Sequence, residues 1–129
     1  MSKNPFQHVD IRVRDTAAAL EFYSKFLPAV GFTIDEGGES FRCFSAGGKP
    51  PHAPWFGFTE HPDHRPNRNR IAFSAASREE VDRVGRIVRD AGGHNVSGPR
   101  ECPEYSPTYY AVFFDDPSGN CLEVCYLTD

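Results

Sequence analysis

One pattern occurs twice in this chain at a fixed offset, which restricts the fold to two copies of one supersecondary unit. From His8 to Arg14 the residues alternate. Val9, Ile11 and Val13 form one face, and His8, Asp10, Arg12 and Arg14 form the other, the period of a strand. Asp15 or Thr16 then caps a helix with the apolar stripe Ala19, Phe22, Tyr23 and Phe26, ending near Pro28 and Gly31. The second copy sets Ile71, Phe73 and Ala75 against Arg70, Ala72 and Ser74. Ser77-Arg78-Glu79-Glu80 reads as a capping box, Val81, Val84, Ile87, Val88 and Ala91 as the stripe, and Gly92-Gly93 as the stop. Moving 62 positions carries His8 to Arg70, Asp15 to Ser77, Phe22 to Val84 and Gly31 to Gly93.

Each copy is followed by three strand-like pieces. In the first half these are Phe32 to Asp35, Ser40 to Ser45 and Trp55 to Thr59, with Gly37-Gly38 as a hairpin turn and Gly47-Gly48-Lys49-Pro50-Pro51 as a loop. In the second half they are Asn95 to Gly98, Tyr109 to Phe114 and Cys121 to Leu127. The polar stretch 61–69, punctuated by Pro62 and Pro66, reads as a linker. The expectation is one α+β domain over 1–129, built from two β-α-β-β-β modules at about 6–60 and 70–128. The strands are expected to form a curled mixed sheet around a central cleft.

The totals exclude several partners. A net charge of -4 gives no field that attracts nucleic acid or anionic lipid. No apolar run approaches the roughly 18 residues of a membrane span, and no apolar signal region follows Met1-Ser2-Lys3-Asn4-Pro5. Cys43, Cys102, Cys121 and Cys125 form no C-x-x-C and no zinc spacing. On an extended strand Cys121 and Cys125 stand about 13 Å apart, too far to bridge. Reduced thiols and a cytoplasmic location are therefore expected.

The closing strand concentrates the chemistry. The turn Asp115-Asp116-Pro117-Ser118-Gly119-Asn120 feeds a segment in which Leu122, Val124 and Tyr126 point one way and Cys121, Glu123 and Cys125 the other. A helix covers one side of each sheet. The opposite side then carries His8, Asp10 and Arg12 in one module and Arg70, Ala72, Ser74 and Glu123 in the other. Aromatics on the adjoining strands (Trp55, Phe56, Phe58, Tyr109, Tyr110, Phe113, Phe114) give this side the mixed character of a small-molecule pocket.

The stretch Asp116-Pro117-Ser118-Gly119-Asn120-Cys121-Leu122-Glu123-Val124 resembles the "DP-x-G-N-x-L-E-hydrophobic" close of the glyoxalase / bleomycin-resistance / extradiol-dioxygenase group, the vicinal oxygen chelate superfamily. The opening His8-Val9-Asp10-Ile11-Arg12-Val13-Arg14-Asp15, with Phe22-Tyr23 in the helix, is similar to that group's first strand and helix. The resemblance implies paired β-α-β-β-β modules and often a homodimer. It also implies a divalent ion (Ni, Zn, Mn or Fe) held by His8, Glu123 and the residue that opens the second module. That residue is Arg70 in Arg70-Ile71-Ala72-Phe73, and a guanidinium cannot donate to a metal. The first module's last strand, Trp55-Phe56-Gly57-Phe58-Thr59, offers no carboxylate either.

Two readings follow. In the first, the protein is a glyoxalase-like enzyme (lyase, isomerase or dioxygenase type) acting beside a carbonyl or vicinal oxygens. Glu123 and His8 are its catalytic residues or metal ligands. In the second, it is a metal-free binding or sequestering protein of the bleomycin-resistance kind. In both, Arg70 orients an anionic group of a small ligand, with Arg12, Trp55, Tyr109 and Tyr110 as further substrate-binding residues. Glu123 and Arg70 can also simply pair with each other. His52, His61 and His64 are read as loop residues, and Cys121 and Cys125 as buried fillers.

Overall fold

The computed structural model describes residues 4–47 and 53–128. His52 and most of the expected loop at 47–51 lie outside the described residues. The elements run β1 (His8–Val13), α1 (Thr16–Ala29), β2 (Ile34–Asp35), β3 (Phe41–Ser45), β4 (Trp55–Glu60), β5 (Arg70–Ser74), α2 (Arg78–Asp90), β6 (His94–Glu101), β7 (Tyr110–Asp115) and β8 (Cys121–Tyr126). The chain forms two compact units, Met1–His64 and Arg65–Asp129. Each is one four-stranded mixed sheet with one helix, ordered β1-β4-β3-β2 in the first and β5-β8-β7-β6 in the second. These orders are the same once the strands are matched in sequence. The fold is α+β with two β-α-β-β-β modules, as the repeat predicts.

In each module the first strand pairs parallel with the last, His8 with Trp55 and Arg70 with Cys121. The remaining ladders are antiparallel. Both helices begin where the caps predict. The Asp15 side chain accepts from Ala17 N and that of Ser77 from Glu80 N. The Glu80 carboxylate reaches back to Ala76 N, completing a reciprocal cap.

The helices face their sheets with unlike cores. In the first module Phe22, Tyr23, Phe26, Phe56 and Phe58 are fully buried, with Tyr23 stacked on Phe58 at 4.9 Å. In the second, Val81, Val84 and Val88 meet Val112, Phe114, Leu122 and Val124. One half is aromatic and the other mostly aliphatic, so a shared pattern of burial, not shared side chains, carries the repeat.

Several boundaries differ from expectation. The repeat slips by one residue at the helix stop: the positive-φ glycines are Gly31 and Gly92, not Gly93. Phe32 N donates to Leu27 O in the first module and Gly93 N to Val88 O in the second, so α2 ends one residue earlier. The same bond holds Phe32 against the end of α1, and β2 shrinks to Ile34–Asp35. In contrast β6 runs on to Glu101, through Pro99, with two register shifts against β7. It is the edge strand, where a residue without an N–H is tolerated.

Candidate functional site

Each module leaves one sheet face uncovered by its helix. In the first, His8, Asp10 and Arg12 are exposed on β1 while Val13 is buried. The His8 ring stacks on Trp55 at 4.2 Å with the planes 1° apart, and its Nδ1 lies 2.6 Å from Gln7 Oε1. Phe41 meets the edge of Trp55 at 5.7 Å. Arg12 pairs with Asp10 at 3.1 Å, and Thr59 Oγ1 donates to the same carboxylate. Trp55 lies across Gly57, where an added Cβ would come within 2.6 Å of the indole. Gly57→Ala is expected to push the indole off His8 at a cost of about 1–2 kcal/mol. Trp55 is the only tryptophan, so its fluorescence reads this directly. An unchanged emission maximum would contradict the close packing.

In the second module the parallel ladder sets Ala72 beside Glu123, and the antiparallel ladder sets Phe113 on its other side. Cross-strand partners share a face, so Ala72, Glu123 and Phe113 form one row. Glu123 is 5% exposed. The Tyr109 hydroxyl donates to Glu123 Oε2. Cys102, Ala111 and Cys125 are buried next to Tyr109 and Phe113. The guanidinium of Arg70 lies 5.1 Å from the Phe113 ring centre. Arg70 and Glu123 do not pair: the ion pairs of the described residues join other groups. Tyrosine, not arginine, satisfies the buried carboxylate.

Burial raises the Tyr109 pKa, and its hydrogen bonds to Cys125 and Glu123 raise it further. Burial likewise raises the thiols of Cys102, Cys121 and Cys125. The shift favours the protonated thiol in each; Cys102 and Cys125 are buried, while Cys121 is half-buried. The Tyr109 shift has a sign. A raised folded pKa means its stabilising contribution is complete below the unfolded tyrosine value near 10 and is lost as pH rises above it. Unfolding free energy should fall about 1.4 kcal/mol faster per pH unit above pH ~10 in the native chain than in Tyr109→Phe. Equal slopes in urea unfolding at pH 10 and 11 would contradict it.

Tyr110 lies on the opposite side. Its hydroxyl donates to Asp82 Oδ1 at 2.6 Å, on α2, and Arg78 sits 4.7 Å over its ring. The structure therefore brings Tyr109, Glu123 and Arg70 onto one side of the second sheet and leaves Tyr110 with the helix. Phe113, one of the aromatics the sequence assigns to the pocket side, lies there, whereas Phe114 is buried on the other side of β7. Arg100 joins that side without a signal in the sequence. In the linker, His64 N donates to His61 O in a turn.

Among the described residues no three or more His, Cys, Asp and Glu side chains gather as a metal would require. The Arg70 guanidinium has no lone pair to give, and Tyr109 engages Glu123. These residues do not fit a three-ligand metal centre. A hollow of about 350 Å³ lies elsewhere, at the start of α2, lined by Ser77, Arg78, Glu79, Thr108, Tyr126 and Thr128. The reciprocal cap already uses donors of that helix end, and Glu79 adds negative charge. Its walls converge on no buried polar group, unlike the Glu123 row.

One comparison shows the family and another the fold. The profile of the Glyoxalase/Bleomycin resistance protein/Dioxygenase superfamily matches residues 6–124. No match was found among curated proteins. Among solved structures, a glyoxalase/bleomycin resistance protein from Albidiferax ferrireducens T118 is 21% identical. It covers 97% of this chain and 100% of its own, with a TM-score of 0.77. A glyoxalase/bleomycin resistance protein/dioxygenase family enzyme from Burkholderia phytofirmans PsJN is 18% identical, covering 95% and 98% at 0.71. The fosfomycin resistance protein FosX from Mesorhizobium loti is 17% identical, covering 98% and 95% at 0.70. At these identities the structures speak for the fold alone, while the profile spans most of the chain. The chain belongs to the glyoxalase/bleomycin resistance protein/dioxygenase superfamily.

Proposed function

We propose that this protein binds a small anionic molecule on the Glu123 side of its second module, without a resident metal. The observation that carries the reading is the donor set. An arginine stands at the third position, and the Glu123 carboxylate is held by Tyr109. Arg70 meets the ligand's anionic end, Phe113 and Tyr109 supply apolar contact, and Ala72 leaves room beside Glu123. Arg12 and the stacked His8–Trp55 pair are proposed as further ligand contacts. That His8 and Glu123 serve one ligand belongs to the same proposal: a double-mutant cycle on ligand affinity should return a coupling, and additivity would remove it.

A second reading rests on the Glu123 carboxylate itself. It can take a proton from a carbon beside a carbonyl, the C–H electron pair moving onto the carbonyl oxygen as an enolate, while the Tyr109 hydrogen bond orients the carboxylate, as a glyoxalase-like enzyme requires. A homodimer and a cytoplasmic location are proposed alongside. The four free cysteines support the latter, and light scattering tests the former.

Untagged protein should contain Ni, Zn, Mn and Fe far below one per chain, and a panel of aromatic acids should raise its Tm. A ligand at about 100 times its Kd adds roughly 2.7 kcal/mol. Ala72→Trp, which fills the exposed place beside Glu123, should abolish that rise. Stoichiometric metal that disappears in His8→Ala would overturn the metal-free reading.

A further inference from the structure

A second guanidinium approaches the ring that Arg70 touches. Arg100 lies 5.1 Å from the Phe113 centre, the same distance as Arg70. Strand order puts them on opposite sides of β7, with Arg100 on β6 and Arg70 on β5 beyond β8. The two guanidinium carbons are therefore no more than twice that distance apart. Both arginines are exposed, and Phe113 is half-buried below them. Arg100 NH1 has two other contacts, Cys102 Sγ at 3.4 Å, a weak acceptor, and the exposed Glu104 carboxylate at 3.5 Å, long for an ion pair. Neither is a bidentate pair. Both forks thus keep donors for an incoming group.

We propose that Arg70 and Arg100 form a two-armed clamp for a compact dianion, a phosphate-type group carried by the ligand of the Glu123 side. The proposal rests on the small-molecule reading above and narrows its ligand class. A carboxylate has two oxygens, which a single guanidinium fork satisfies. A phosphate-type group presents three acceptor oxygens and about −1.5 to −2 charge at pH 7, so two forks can converge on it. Glu123 opposes the anion by charge. Its carboxylate is buried and already accepts from Tyr109, whereas both arginines are exposed. Phe113 contributes by holding the two arms, each by a cation–π contact.

The test is calorimetric titration of the full chain with phenyl phosphate, benzoate and benzamide. Phenyl phosphate should bind roughly tenfold or more tighter than benzoate. Arg70→Gln and Arg100→Gln should each weaken phenyl phosphate by about ten- to a hundredfold, and by a much larger factor than they weaken benzamide. Glu104→Gln, which removes a competing exposed carboxylate, should tighten phenyl phosphate by roughly two- to fivefold. Circular dichroism checks that these surface variants fold. If Arg100→Gln binds phenyl phosphate like the native chain, or phosphate binds no tighter than benzoate, the clamp is wrong while the small-molecule reading stands. If no probe of any charge binds, both fall together.

Discussion

Asp116→Ala is expected to lower the unfolding midpoint by roughly 10 °C or more, from a loss of about 3–5 kcal/mol. Asp116 is fully buried. Its Oδ1 accepts from Ser118 N at 2.8 Å and Asn120 N at 2.9 Å, and its Oδ2 from Asn120 Nδ2 at 2.9 Å. The main chain closes the same turn, Asp116 N to Asn120 O and Gly119 N to Asp116 O, each 2.9 Å. Gly119 takes φ +88 and lies against Pro66, whose Cγ would be 2.8 Å from an added Cβ. Alanine at 116 removes the acceptor that the buried Ser118 N–H and the half-buried Asn120 donors share, and water cannot replace it without opening the turn. The register of β8 depends on this turn, and a one-residue slip would turn Glu123 to the helix side. Asp116→Asn keeps an acceptor and should lose about half as much. Loss of no more than ~1 kcal/mol in Asp116→Ala, by urea unfolding, would show that the turn is not what sets the strand.

Tyr109→Phe is expected to cost about 2–3 kcal/mol, more than one hydroxyl on a wetted surface would. The substitution keeps the ring and its contact with Tyr105 at 5.1 Å, and removes the hydroxyl that donates to Glu123 and also meets the Cys125 thiol. A buried carboxylate without its donor is the costly outcome, because the charge keeps its desolvation cost and loses its compensation. Glu123→Leu in the Tyr109→Phe background should therefore recover part of the loss. A double-mutant cycle over these two positions should give a coupling of about 1.5 kcal/mol or more. A coupling near zero would mean that something other than Tyr109 satisfies Glu123.

Much of this fold is legible in the amino-acid sequence. The repeat could be read because strand and helix periods depend only on where apolar residues recur, and His8–Val13 and Arg70–Ser74 both alternate cleanly. The capping residues were legible for the same local reason. What was not legible depends on tertiary contacts. Phe32 looks like a strand residue, yet its N–H closes the end of α1. Tyr109 and Tyr110 are equally plausible pocket residues by composition, and only the pairing of Tyr110 with Tyr126 and its bond to Asp82 put it with the helix. Phe113 and Phe114 are alike in sequence and lie on opposite sides of β7. Arg100 was hidden most deeply. It sits past Pro99 on a strand whose register shifts twice, so alternation could not say which side it faces.

A small ligand is proposed to bind around Glu123, on the side of the second sheet turned away from α2. Amide chemical-shift mapping decides this, with phenyl phosphate or benzoate titrated into the isotopically labelled protein. The largest shifts should fall at Arg70, Ala72, Phe113 and Glu123, with little change at Tyr110 and Val112. Shifts confined to Ser77, Arg78, Thr108 and Tyr126, around the hollow at the start of α2, would place binding on the other side of the sheet and contradict it.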